Sequence, residues 1–570
     1  MKANDTTFKD LIEGVKQFMI PVYQRTYAWD PDARKTKAMT VVKMWDDIYE
    51  LFDTVETETH FFGSIVTMPV ASGASGVSKF IVIDGQQRLI SLSLLLTAIR
   101  NAASKLKVKE GPYTYFVEKL EDGFLFNRLR DGDDRFKIIP TKSDRPHYFQ
   151  ILDQKESEFY YSDRLVRAYN FFANKVKNSL NEFKEVPDKM NFLENLQNTL
   201  LNRLKIVDVR LEQNDDPHDV FESLNYSGIP LSNWDLVRNY ILMRYKDPKQ
   251  QEKKYNDVIK DIENNIGDQS DEFLKDYLGM NGIITTSRNI YNSFKKLIPD
   301  SLKNDDNDFE TEIIKLTQAS QIYRKLLKPK ENEDTTVRNL ITFTSSRLKI
   351  TTHYPVLMKL LKMHEDKMID EDQLRVSVKL VTSYLLRRAL ILSSQGLNKF
   401  FPGIAKSLND DPETFLKKSF TSGYYGAPDD KRFIEVLEDS NIGLSNPLLT
   451  KYLLFKLEQS INKEVPNLNN LQLEHIMPQT LDQDWKNELG ELWDQIHDTY
   501  VNKIGNLTLT GYNQELQNFK FSRKKSGEKG YENSSLKITK ELANYEKWGE
   551  DEIKARGHKL AKEIAEMWHL

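Results

Sequence analysis

At 570 residues the chain is too long for one hydrophobic core, so two to four domains are expected. It has no cysteine, which excludes disulfides, thiolate zinc sites and a cysteine nucleophile, and fits a reducing, cytoplasmic setting. A net charge of −4 is no nucleic-acid signature by itself, so contact with DNA must come from local basic patches.

Residues 1–5 lack the apolar core of a signal peptide. Residues 20–29 then mix Tyr23, Tyr27 and Trp29 with Gln24 and Arg25, and Pro21 imposes an extended start. Such a patch suits reading a phosphate, a base or a modified nucleotide, and equally suits amphipathic packing against a sheet. Next, Lys79-Phe80-Ile81-Val82-Ile83 reads as a buried strand, Asp84-Gly85 as a turn, and Gln86-Gln87-Arg88 as the opening of an apolar helix to about residue 100. Free backbone N–H groups at such a helix start favour an anion, and the Arg88 fork matches phosphate oxygens. There is no Gly-x-x-x-x-Gly-Lys-Ser/Thr loop, so any phosphate cradle is of another kind. The longest apolar run, residues 89–99, is broken by Ser91, Ser93 and Thr97 and is too short to cross a bilayer, so no membrane partner is expected.

Residues 136–140 read as an edge strand, with Ser143-Asp144 capping the helix that follows. Residues 159–180 and 190–204 have helical periodicity, and residues 205–211 return to strand alternation. A loop at 214–218 and a short helix at 220–225 lead to Ser232-Asn233-Trp234-Asp235, a capping-box variant opening a helix over 236–245. From 247 to 432 the sequence is charged and helix-prone, with amphipathic helices expected at 252–265, 287–296, 309–327, 355–363 and 372–393. Loops are expected at 303–308 and 328–336. Lys359, Lys362, Arg387 and Arg388 read as solvated helix faces in preference to a duplex contact.

The densest chemistry comes last. Alternating apolar residues lead into Glu474-His475, a strand that Pro478 stops soon after; a second strand is expected over 507–510. Beyond it lie Asn513, Asn518 and a basic run, Lys520, Arg523, Lys524, Lys525 and Lys529, suited to a short helix and to DNA contact. Phosphodiester hydrolysis needs a base to deprotonate water, which a neutral imidazole supplies, and a hard cation held by a few oxygen ligands. His475 fits the first role, and Glu474 with an Asn amide fits the second. Asn506 is placed to hold the His475 ring, and Asn513 to complete the metal shell.

Glu474-His475, Pro478, Ile504-Gly505-Asn506-Leu507-Thr508-Leu509, Asn513, Phe519 or Phe521 and Lys525, with late Trp548, Arg556 and Trp568, resemble the HNH-like nuclease domain of GmrSD-like type IV restriction proteins. The resemblance implies a ββα-metal fold using Mg²⁺ or Mn²⁺. In it His475 is the general base, Glu474 a metal ligand, Asn506 the central Asn and Asn513 the second ligand, with Asn518 a near alternative. Tyr23, Gln24 and Arg25, together with Asp84, Gly85, Gln86, Gln87 and Arg88, are similar to the family's N-terminal half. That half has a ParB- and sulfiredoxin-like α/β fold associated with binding and hydrolysis of an NTP such as GTP, ATP or UTP. Phe221, Glu222, Asn225, Gly228, Leu231 and Asp235 match its second signature, with Ser227 where relatives often carry Arg.

The expected chain is therefore α+β and mostly helical. It has a nucleotide-binding domain at 1–245, a helical connector at 246–432 and a nuclease domain at 433–570, and is compatible with a homo-oligomer. The preferred function is cleavage of modified double-stranded DNA in phage defence, licensed by nucleotide. The competing function is a nucleotide-regulated DNA-binding sensor or scaffold that does not cut.

Overall fold

The computed structural model describes residues 1–31, 40–54, 58–70, 76–154, 163–212, 215, 220, 231–245, 247–298, 306–391, 396–464, 466–512 and 516–570. The expected helix at 220–225, the signature residues Phe221, Glu222, Asn225 and Gly228, and the expected metal ligand Asn513 lie outside the described residues, apart from Val220. The chain divides into two compact units, Met1–Glu263 and Asn264–Leu570.

The first unit is built on a mixed six-stranded sheet. Its strands are β1 (Lys2–Thr7), β2 (Lys16–Met19), β3 (His60–Pro69), β4 (Ser78–Asp84), β5 (Ile138–Ile139) and β6 (Leu204–Arg210), in the spatial order β1-β6-β3-β4-β2-β5. β1 with β6 and β3 with β4 are antiparallel, and the other neighbours are parallel. Both faces of β4 are covered: Val82 joins the main helical core, while Ile81 and Ile83 join a smaller core with Val66, Val209 and Leu211 on the opposite face. That double burial explains the unbroken apolar run read in the sequence. β5 is an edge strand as expected, but only two residues long.

The helix Gln86–Leu106 follows β4 and is buried almost all round, as a central core helix must be. At 21 residues it has the length and mean hydropathy of a membrane span, yet 72% of that apolar window is buried inside the fold. Its polar residues have internal partners: Ser91 Oγ lies 2.6 Å from Tyr27 Oη, Ser93 Oγ lies 2.6 Å from Tyr148 Oη, and Thr97 Oγ1 donates to the Ser93 carbonyl at 2.8 Å. Asp144 precedes the helix Arg145–Leu152 without capping it. Its carboxylate instead accepts from Tyr27 N at 2.9 Å and Thr141 Oγ1 at 2.7 Å, tying residue 27 to this part of the fold. The Ser232/Asp235 capping box is present, with Asp235 N donating to Ser232 Oγ at 3.1 Å and Ser232 N to Asp235 Oδ2 at 3.2 Å.

Among its described residues the second unit is helical except for one antiparallel pair, β7 (Gln472–His475) with β8 (Leu507–Thr510). Arg387 and Arg388, read as solvated from sequence, are buried. Arg387, on the helix Glu371–Ile391, donates to the carbonyls of Pro428 at 3.0 Å and Trp568 at 3.2 Å and pairs with Asp430. The connector helix is thereby stapled to the chain's last residues. Lys362, on the helix Tyr354–Glu365, pairs with Asp366 just past that helix's end.

Candidate active sites

In the first unit, β4 ends at Asp84 and Gly85 makes the turn at φ +92°, where a side chain is strained. A Cβ there would also stand 2.9 Å from Ile65 Cγ1 and 3.0 Å from the Ser64 carbonyl, so the turn requires glycine on two counts. The residues after it divide into two groups. Gln87 is structural wiring: its Oε1 accepts from Ala28 N at 2.8 Å and its Nε2 donates to the Thr26 carbonyl at 3.4 Å. Gln24 likewise donates to the Ile83 carbonyl at 2.9 Å and accepts from Gln86 Nε2 at 3.2 Å. Tyr23 is buried, and its carbonyl accepts from Arg238 Nε at 3.1 Å. These bonds resolve the ambiguity of residues 20–29 for Gln24 and Tyr27, whose side chains bond inside the fold, and Tyr23 is buried there with them.

The second group carries charge. Arg88 donates to the Ser64 carbonyl at 2.9 Å, lies 3.7 Å from Asp84, and crosses Gly63, where a Cβ would meet its Nε at 2.8 Å. Arg25 is half-buried near Asp235 and Asp84; burial lowers its affinity for a proton and those carboxylates oppose the shift. Burial pushes the Asp84 carboxyl up, against the pull of Arg88 and the Gly85 N–H. Gln86 Oε1 and Arg88 Nε are buried without a hydrogen-bond partner, polar capacity that a ligand would use.

In the second unit, β7 and β8 pair Glu474 with Thr508 and His475 with Leu507. Alternation sends the two side chains to opposite faces. Glu474 goes inward. Its Oε1 accepts from Lys524 Nζ at 2.7 Å and from Tyr531 Oη at 3.2 Å, and both charged side chains are almost wholly buried. Lys524 also donates to the His475 carbonyl at 2.9 Å. His475, at the strand end, is half-buried and its Nε2 lies 3.2 Å from Asn502 Oδ1. An amide oxygen only accepts, so Nε2 carries the proton and Nδ1 keeps the lone pair. Burial lowers the imidazole below its ordinary pKa of 6.5, partly opposed by the Asn502 hydrogen bond and reinforced by Lys524 and His497.

Asn506 does not orient His475. Its Oδ1 accepts from Met477 N at 2.8 Å and Trp548 Nε1 at 3.0 Å, and its Nδ2 donates to the carbonyls of Met477 and Val501, both at 2.9 Å. All four positions of the amide are filled. Asn506 therefore clamps the chain leaving β7 against the chain entering β8. The ring-holding role expected of it falls to Asn502, four residues earlier, for which the sequence held no signal.

The basic run is also redistributed. Lys524 is inside the fold, Lys525 donates to the Tyr545 carbonyl at 2.8 Å, and Arg523 lies 3.5 Å over the Phe519 ring. Of the three expected DNA contacts, Arg523 is exposed, Lys525 is half-buried, and Lys524 is withdrawn altogether. The helix carrying them, Phe521–Ser526, is shorter than the run itself. Asn518 is exposed beside it.

Residues 8–242 match the GmrSD restriction endonuclease N-terminal domain, and residues 427–563 match the GmrSD restriction endonuclease C-terminal domain. The chain belongs to the GmrSD restriction endonuclease family. Membership implies DNA cleavage in restriction defence. A search of curated proteins found no match. Both sites lie within the matched GmrSD segments: the 84–88 turn in the first, and His475, Asn502 and Asn506 in the second.

The GmrSD nuclease family suggests metal dependence. The described side chains, as arranged, do not form a cation site around Glu474: its carboxylate already has a buried ammonium as counter-ion. No group of three His, Asp or Glu suited to a metal occurs among the described residues.

Proposed function

We propose that this GmrSD protein is a modification-dependent DNA endonuclease of phage defence, acting in the cytoplasm, in which His475 is the general base. What carries the reading is the Asn502–His475 hydrogen bond, which fixes the tautomer with a lone pair on Nδ1. The lowered imidazole pKa keeps that nitrogen unprotonated at neutral pH. In the reaction a water proton passes to His475 Nδ1, the hydroxide oxygen bonds to phosphorus, and the bond to the leaving oxygen breaks. The β7–β8 pair followed by the short helix Phe521–Ser526 supports reading this part as a ββα-metal nuclease fold. Dependence on Mg²⁺ or Mn²⁺ is read from family membership, and no step above is routed through the ion.

The N-terminal sheet is read as ParB- and sulfiredoxin-like, and the turn Asp84-Gly85 with Arg88 and Arg25 as its nucleotide site. The unpartnered Gln86 Oε1 and Arg88 Nε support that reading. Gln87 and Gln24 are then positioning residues, since their side-chain amides hold the loop 23–28 in place, and Tyr23 is a buried packing residue. The division into a nucleotide domain, a helical connector and a nuclease domain belongs to the same proposal.

Plasmid nicking with Mg²⁺ or Mn²⁺ tests it, using plain, methylated, glucosylated and phosphorothioate DNA with and without GTP, ATP or UTP. Wild-type protein cuts one modified substrate, and His475→Ala cuts none while keeping nucleotide turnover. Equal cutting by both proteins removes His475 from the mechanism. Unchanged nucleotide binding and turnover in Arg88→Ala removes the N-terminal assignment.

A further inference from the structure

Within the second unit, the helices Ser270–Met280, Asp306–Leu327, Tyr354–Glu365 and Leu397–Ser407 contribute the walls of a cavity of about 170 Å³. An apolar cavity of about 150 Å³ holds a benzene molecule, so this one has room for a ligand of a few to about ten heavy atoms. Its wall is not apolar. Asp276, Glu272, Tyr323, Tyr354 and Thr352 all line it.

Asp276 is the telling residue. It shares its helix with Phe273, Leu274, Tyr277 and Leu278, all buried, and burial pushes its carboxyl well above the ordinary carboxylate range. No hydrogen bond or ion pair to its carboxylate is made by any described residue. Lys275 acts on it only at a distance, and Glu272 adds repulsion. Asp276 is half-buried by accessible surface, while Thr352 Oγ1 is buried and unpartnered. Two tyrosine rings stand alongside, Tyr323 and Tyr354, edge to face with centroids 6.0 Å apart and both nearly inaccessible. A desolvated carboxylate with no partner costs stability, and native folds leave few such groups. Among the described residues Lys275, in the same wall, is the cation that offsets it, from beyond ion-pair distance.

We propose that this cavity is a binding site for a small organic ammonium ion, held by Asp276 and the faces of Tyr323 and Tyr354. The ammonium supplies the missing counter-ion, the rings supply cation–π attraction, and Thr352 Oγ1 accepts one of the ammonium hydrogens. A metal ion is a poorer occupant, because Asp276 and Glu272 are the only carboxylates among the lining residues and no imidazole joins them. A neutral ligand leaves the carboxylate unpaired. The site lies outside the residues assigned to DNA cleavage and to nucleotide, so its test is independent of theirs.

The test uses the full chain, with butylammonium as probe and 1-butanol as its neutral isostere, followed by calorimetry and thermal melting. Butylammonium binds, 1-butanol does not, and Asp276→Asn weakens the ammonium at least tenfold without lowering the melting temperature. A second measurement needs no variant. Below the raised Asp276 pKa, ammonium binding by the wild-type protein releases a proton, seen as a binding heat that changes with the ionisation enthalpy of the buffer. Among the described residues, Glu272, Lys275, Tyr323 and Tyr354 are the other titratable groups facing Asp276. No binding of butylammonium, equal binding of butanol, or unchanged affinity in Asp276→Asn overturns the site and leaves a water-filled cavity.

Discussion

Lys524 Nζ bonds Glu474 Oε1 at 2.7 Å, with the two side chains 1% and 4% exposed. The same ammonium holds the carbonyl of His475 at 2.9 Å, so one buried cation joins the carboxylate on the inner face of β7 to the backbone of the candidate base. Removing one member of such a pair typically costs about 3–5 kcal/mol, whereas replacing both by uncharged side chains of similar volume is often close to neutral. Lys524→Met is therefore expected to lower the unfolding free energy by several kcal/mol, and Glu474→Gln/Lys524→Met to recover most of it. Chemical denaturation of the three proteins checks this; a double variant no more stable than the single one counts against an isolated ion pair.

Asn506 is expected to act on the fold before it acts on chemistry. Asn506→Ala removes four buried hydrogen bonds and strands the Trp548 indole N–H and the Met477 N–H. Each stranded group costs about 1–3 kcal/mol, so a large fall in melting temperature accompanies any loss of cutting. An Asn506→Ala protein as stable as wild type but inactive would assign the residue to catalysis instead.

Asn502 separates from Asn506 by the opposite behaviour. Asn502→Leu leaves the fold near wild-type stability, but frees the His475 ring to rotate and exchange tautomers. DNA cleavage by this variant is expected to fall at least tenfold, within the roughly 10²–10⁴-fold that a general base contributes. Because the Asn502 bond raises the imidazole pKa and burial lowers it, the wild-type acid limb of activity lies below pH 6.5 and moves lower still in Asn502→Leu. A pH–rate profile of both proteins reads this directly.

His353 gives the second unit an acid sensitivity unrelated to catalysis. It is fully buried, with Nε2 3.1 Å from Thr344 Oγ1, and burial brings its pKa down to about 3. The unfolded chain binds this proton from the ordinary value of 6.5 downward while the folded chain does not. Its contribution is therefore fully present above pH 6.5 and is lost as pH falls toward 3. Between those limits stability drops by about 1.4 kcal/mol per pH unit from this group. His353→Gln is expected to flatten that slope in denaturation measured from pH 7 to 4.5.

Gly505 admits no side chain. A Cβ there would lie 2.0 Å from the Ile553 carbonyl and 2.9 Å from Gly557 N, because the helix Glu550–Met567 runs directly against the turn before β8. Arg556 closes the same contact, donating to the Gly505 carbonyl at 2.8 Å and the Leu507 carbonyl at 2.7 Å. Gly505→Ala is expected to lose soluble, folded protein, or to melt far below wild type in a thermal scan.

The amino-acid sequence alone determined what depends on neighbours along the chain. Strand alternation ending at His475, the strand, Gly85 turn and helix at Asp84, and the Ser232/Asp235 capping box are set by backbone geometry within a few residues. The family motifs were legible for the same reason, since each is a short word whose residue types declare their chemistry. Tertiary structure decided which of those residues are free to act. Lys524 reads as one cation in a basic surface run until Glu474, fifty positions away, takes it into the core. Asn506 and Asn502 are two asparagines in one polar loop until Met477, Val501 and Trp548 saturate the first and His475 claims the second. Burial and hydrogen-bond saturation are properties of partners distant in sequence, and those partners assign the roles.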